Sequence, residues 1–149
     1  MANLTIEAWK ARLAGNYSRA ADLYRTAGNY KSALKMYVEA KLFDQAARLS
    51  VQLCDNPQAI EFFLQDKNYR AAGELYEKLK KWDHAVECYA RCGELDRAAR
   101  IYEKLNQFDK AAEVWLKAHR KDMAAAALIK TKKNAQAVPL LEALIAELE

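Results

Sequence analysis

Three side chains able to bind a metal or act as nucleophiles fall at spacings of four: His84, Cys88 and Cys92. On an α-helix that spacing sets all three along one stripe, and an imidazole with two thiolates is a donor set that zinc accepts. A closed structural site needs a fourth ligand, and none stands nearby. The plainer expectation is that both thiols fill core positions as small hydrophobes, so no metal or other cofactor is expected. His84 and His119 are the only histidines, and neither sits among residues that would supply a nucleophile, a base and an orienting acid. Three of the four glycines fall where helices should end, which excludes a phosphate-cradling loop. The chain is expected to be non-catalytic.

Charge narrows the partners. The 149 residues carry 24 Lys and Arg against 20 Asp and Glu, a formal net charge of +4. That is a mixed, solvated surface rather than the concentrated positive field that nucleic-acid binding requires. The exception is Lys117, Arg120, Lys121, Lys130, Lys132 and Lys133, set against Asp122 alone. This basic patch could meet RNA or an anionic surface, but it lacks the interleaved aromatics that stack bases. An odd count of three cysteines points to reduced thiols. With no basic leader and no long apolar run, a cytoplasmic location is expected.

What must position these side chains is a repeat. Ala recurs at every thirteenth position, from Ala20 through Ala33, Ala46, Ala59, Ala72, Ala85, Ala98, Ala111 and Ala124 to Ala137. In the register that begins at Gly15, Ala is sixth, aromatics favour the third and tenth places, and apolar residues the ninth and thirteenth. Spacings of three, four and seven are helical. The fourth place, Ser18, Asp44, Asp83, Asp96, Asp109 or Asp122 in six copies, is the expected N-cap. The first, Gly15, Gly28, Gly93 or Asn106 in four, is the expected left-handed end. Each copy should therefore be one helix of about ten residues and a short turn. The expected fold is all-α, a solenoid of about eleven short antiparallel helices forming a single domain over 1–149. Positions 2–14 make an N-terminal capping helix, 15–131 the core repeats and 132–149 a C-terminal capping helix, which Pro139 should make start late.

A second period lies inside the first. Odd copies carry Ala21, Ala47, Gly73, Ala99 and Ala125 at the seventh place, and even copies carry Leu34, Ile60, Val86, Ala112 and Val138. The unit is thus a hairpin of two copies whose two helices occupy different layers. Small seventh residues suit the closer approach of an inner layer, so odd copies are expected to line a concave groove. Their polar eighth and eleventh residues, Asp22, Arg25, Arg48, Glu74, Glu77, Arg100 and Glu103, are the candidate partner-binding set.

The element G-N-Y-x-x-A-x-x-x-Y-x-x-A, at Gly15–Ala27 and again at Gly28–Ala40, resembles the turn and second helix of a tetratricopeptide repeat. That unit is about 34 residues with two unlike helices, whereas here the element returns at every thirteenth position. Uninterrupted short helices are similar to the tetratricopeptide-like arms of intraflagellar-transport and coatomer subunits and of vesicle-fusion attachment proteins, over about Gly15 to Ala118. The resemblance implies a scaffold or adaptor that holds a peptide or helix of a partner protein. It also admits a structural segment of a larger, coat-like or end-to-end self-associating assembly. Capture of a C-terminal carboxylate through Asn and Lys, known in that family, is disfavoured because Asn16, Asn29 and Asn68 fall in turns.

Overall fold

The computed structural model describes residues 2–149, the side chain of Ala2 excepted. The described residues form eleven α-helices and no strand. They are α1 (Ala2–Leu13), α2 (Tyr17–Thr26), α3 (Tyr30–Glu39), α4 (Phe43–Gln52), α5 (Asn56–Gln65), α6 (Tyr69–Lys78), α7 (Trp82–Arg91), α8 (Leu95–Lys104), α9 (Phe108–Lys117), α10 (Lys121–Lys130) and α11 (Asn134–Leu148). From α2 onward every helix opens at the third place of its copy, and odd copies are the even-numbered helices. Contacts divide the chain into two compact units, Met1–Leu75 and Tyr76–Glu149, with the division inside α6.

Each helix from α1 to α10 stops in the same way. All ten first-place residues take a left-handed backbone, Gly15, Gly28 and Gly93 at φ 77–78° and seven non-glycine residues, Lys41 and Lys67 among them, at 56–61°. In the α2–α3 turn the Gly28 N–H donates to the Arg25 carbonyl and the Asn29 N–H to that of Tyr24, the paired bonds that close a helix end. Asn29 is at once the last residue of that closure and the N-cap of α3. One residue serves two helices.

The N-cap lies at the second place, not at the fourth. Asn16, Asn29, Asp55 and Asn68 accept from the N–H groups of Arg19, Ser32, Gln58 and Ala71 at 3.2–3.3 Å. Five copies have no capping side chain at the second place, those of Leu42, Lys81, Glu94, Gln107 and Arg120, and in all five the fourth place is Asp. There the carboxylate sits in the first turn and complements the helix dipole. Only the last copy, with Lys133 and Ala135, has neither device. Three of the aspartates reach further, to the second place two copies on. Asp44 accepts from Asn68 at 3.4 Å, Asp96 pairs with Arg120 at 3.5 Å, and Asp109 pairs with Lys133 at 2.9 Å. The last helix does not start late. It opens in register at Asn134 and carries Pro139 inside it, on an exposed face where the freed carbonyl of Ala135 can meet water.

Ten-residue helices are marginal alone, and packing explains their persistence. The ten sixth-place alanines are at most 1% exposed, so neighbouring axes approach closely there. Tyr24, Tyr37, Phe63, Tyr89, Trp115 and Leu128 at the tenth place are buried beside them. In the first unit Ala20, Ala21, Tyr24, Ala33, Met36 and Tyr37 share one core, and in the second Ala99, Ala111, Trp115, Ala124 and Leu128 do. At the seventh place the small residues Ala21, Ala47, Ala99 and Ala125 are fully buried, whereas their larger counterparts grade from Ile60 at 5% to Val138 at 48% exposure. Third-place aromatics are less buried than their spacing suggests, and Tyr17 and Tyr30 are exposed.

Candidate partner-binding grooves

The polar residues of the odd copies converge on two grooves, one in each unit. In the first, Gln45, Arg48, Leu49 and Gln52 of α4 face Asp22 and Arg25 of α2, with Tyr37 at the base. In the second, Arg97, Arg100, Ile101 and Lys104 of α8 face Glu77 at the end of α6. These are the same register positions displaced by four copies. The fifth, eighth, ninth and twelfth places of one odd copy make one wall, and the eleventh place of the preceding odd copy makes the other. The fifth, eighth and twelfth places, spaced three and four apart, share one helix face, and the ninth lies three or four residues from the fifth and twelfth.

Of the seven residues expected to line a groove, Asp22, Arg25 and Arg48 meet in the first and Glu77 and Arg100 in the second. Glu74 is exposed and pairs with Arg70 at 3.5 Å outside both grooves. Glu103 accepts from the Trp115 indole N–H at 3.0 Å. The walls also contain Gln45, Gln52, Arg97 and Lys104, which the eighth and eleventh places alone do not reveal. Recurrence of polar residues at the fifth and twelfth places is the signal that finds them.

The carboxylates have a second task. Tyr37 donates its hydroxyl to Asp22 at 2.7 Å, and Tyr89 donates to Glu77 at 2.7 Å. With Trp115 and Glu103 this makes three cases in which a tenth-place aromatic of an even copy is anchored by an acid of the preceding odd copy. Burial first, and the hydrogen bond to a carboxylate second, push the Tyr37 and Tyr89 hydroxyls up to about 12. Two cations of the second groove rest on aromatic rings. The Arg97 guanidinium lies 5.4 Å from the Tyr89 ring centre, and the Lys104 ammonium 4.6 Å from that of Trp82.

The other candidates fare differently. Arg120 pairs with Asp96 at 3.5 Å and with Asp122 at 3.4 Å, Lys133 pairs with Asp109 at 2.9 Å, and Lys121 with Glu147. Lys130 lies over the Phe108 ring, and Lys117 and Lys132 are exposed. Half of the patch is therefore answered by carboxylates about two copies away in sequence. His84 is exposed and stacks on Tyr76 at 4.9 Å between ring centres. Cys88 is buried, which pushes its thiol up. Cys92, expected in the core, is exposed just past the end of α7, its thiol 3.5 Å from the Tyr89 carbonyl. Among the described residues no three His, Cys, Asp or Glu side chains come together to hold a metal ion. A further depression of the second unit lies between α9 and α11, walled by Leu116 and Leu140 and also lined by Leu128 of α10, with the Asp109–Lys133 pair at its edge.

Residues 67–98 match the family model of the tetratricopeptide repeat. They include all of α6 and α7 and the first turn of α8. No curated protein matches the chain. The match and the eleven consecutive short helices make this a tetratricopeptide-like helical-repeat protein. Such repeats generally serve as protein-interaction scaffolds. No described helix is long and apolar enough to cross a membrane.

Proposed function

From a tetratricopeptide-like repeat we propose a non-enzymatic scaffold, a single interaction domain that holds a peptide or helix of a partner protein in the odd-copy layer, in the cytoplasm. The observation that carries this reading is the recurrence of one groove, built from the same register positions, in both units. The repeat returns the same register positions to each groove, and in both units they carry long polar side chains. The side chains there are long, polar and mostly exposed, while Leu49 and Ile101 supply an apolar floor at 3% and 4% exposure. Polar rims around an apolar floor suit recognition of a peptide. The basic patch supports nucleic-acid binding less well, because acids from neighbouring helices meet half of it.

The test is selection of peptides from a random library against the full chain, followed by Arg48→Glu and Arg100→Glu. Each exposed arginine should matter for binders seated in its own groove, whereas Glu61→Lys on the opposite layer should leave affinity unchanged. Binders that ignore both arginine substitutions and lose affinity with Glu61→Lys would assign recognition to the even-copy layer instead.

A further inference from the structure

The two grooves share a frame but not a charge. At the fifth, eighth and twelfth places the first carries Gln45, Arg48 and Gln52, and its arginine is held by Asp44 at 2.7 Å. The second carries Arg97, Arg100 and Lys104, three cations along one face of α8 against the single lining carboxylate of Glu77. That carboxylate already accepts the Tyr89 hydroxyl. Arg100 is exposed and makes no ion pair among the described residues. Arg97 and Lys104 are seated on the Tyr89 and Trp82 rings. Arg97 also donates to the Tyr89 oxygen at 3.4 Å and lies 3.8 Å from the Glu94 carboxylate. Side chains held in this way lose less freedom when they meet an anion.

We propose that the groove of the second unit takes an acidic peptide segment, whose side-chain carboxylates meet Arg97, Arg100 and Lys104. The inference rests on the reading that odd-copy grooves bind a partner, and it adds the partner's chemistry. Arg100 and Lys104, one helical turn apart, are separated by about 6 Å along the helix axis. An extended chain repeats its same-face side chains every ~6.7 Å. Acids at alternate positions of an extended peptide therefore match the two cations, and Ile101 between them offers an apolar floor to whatever lies in the middle.

The probe is an N-acetylated, C-amidated (Glu-Ser)4 peptide, so that only side-chain carboxylates carry charge, titrated into the isotope-labelled full chain and followed by amide chemical shifts. Shifts should centre on residues 97–104 and the end of α6 and weaken as salt rises. Arg100→Glu with Lys104→Glu should weaken binding by about tenfold or more. Lys35→Glu, reversing an exposed cation of α3 outside both grooves, should change nothing, and (Gln-Ser)4 should not bind. Both reversed residues lie at the rim of the groove, and an unchanged circular dichroism spectrum would show that the fold is intact. Shifts centred on residues 117–133, affinity indifferent to the double reversal, or an oligouridylate of equal charge binding the same residues as tightly would each overturn the proposal. Library selection separates the two levels. Neutral peptides seated in this groove would sink the acidic partner and leave the groove reading standing, whereas binders that avoid both grooves would sink both.

Discussion

Removing the Glu103 carboxylate should unsettle a residue that is itself untouched. Trp115 is 1% exposed, and its indole N–H has Glu103 as partner at 3.0 Å. Glu103→Ala leaves that donor buried and unpaired, which costs about 1–3 kcal/mol. Glu103→Gln keeps an acceptor oxygen in place and should cost under ~1 kcal/mol. Trp115→Phe removes the donor, so Glu103→Ala on that background should cost no more than ~0.5 kcal/mol, giving a coupling of about 0.5–3 kcal/mol in the double-mutant cycle. Urea denaturation followed by circular dichroism reads all five proteins, and hydrogen exchange should place the loss in α8 to α10. A Glu103→Ala protein as stable as the parent, or an equal cost with and without the tryptophan, would show that the anchor contributes nothing.

Tyr37 and Tyr89 have folded-state pKa values of about 12, above the unfolded value of 10.0. Their contribution is thus fully present below pH 10 and lost as pH rises toward 12. Thermal melts from neutral to strongly alkaline pH should show this decline, and Tyr37→Phe with Tyr89→Phe should flatten it. Lys67 holds φ at 58°, so Lys67→Gly should relieve a left-handed strain of about 1–2 kcal/mol. Its greater unfolded-state freedom offsets roughly half, leaving a net gain of up to ~1 kcal/mol in a urea titration. Ala99→Leu should overpack a fully buried seventh place and cost at least ~1–3 kcal/mol. Val138→Ala, at a half-exposed seventh place, should cost under ~1 kcal/mol in the same titration. Equal costs at the two sites would contradict the division into layers.

The repeat length, the helix content and the left-handed first place are legible in the sequence because each is set by residues close together along the chain. Seven non-glycine residues at the first place show that geometry, not residue type, sets the turn there, and only the four Gly and Asn copies announce it. The fourth place reads as the N-cap because Asp in a first turn and Asn at a cap both stabilise a helix start. The trade between an Asn or Asp cap at the second place and an Asp at the fourth becomes plain only once the boundaries are known. The task of Asp96 and Asp109, which tie to the second place two copies on, is long-range and leaves no local trace. The same is true of Glu103. A carboxylate on a polar face reads as solvated until the neighbouring helix supplies an indole to hold. A proline at the position of Pro139 normally displaces a helix start, whereas here the in-register packing of Ala137 outweighs the lost bond.

The shared turn residue makes length a discrete quantity in this protein. Because Asn29 closes α2 and opens α3 with nothing to spare, a single insertion or deletion would rotate everything downstream by about 100° around its helix axis. The alanine seam would then leave the core. Removing one whole copy would keep the seam but exchange the two layers, putting large seventh residues where small ones are needed. Only steps of two copies preserve both, so the chain can grow, shrink or recombine by whole hairpins. Grafting the two hairpins α6–α9 together onto a repeat of the same period is then a way to move the three cations of α8 along with Glu77, Trp82 and Tyr89, which surround them.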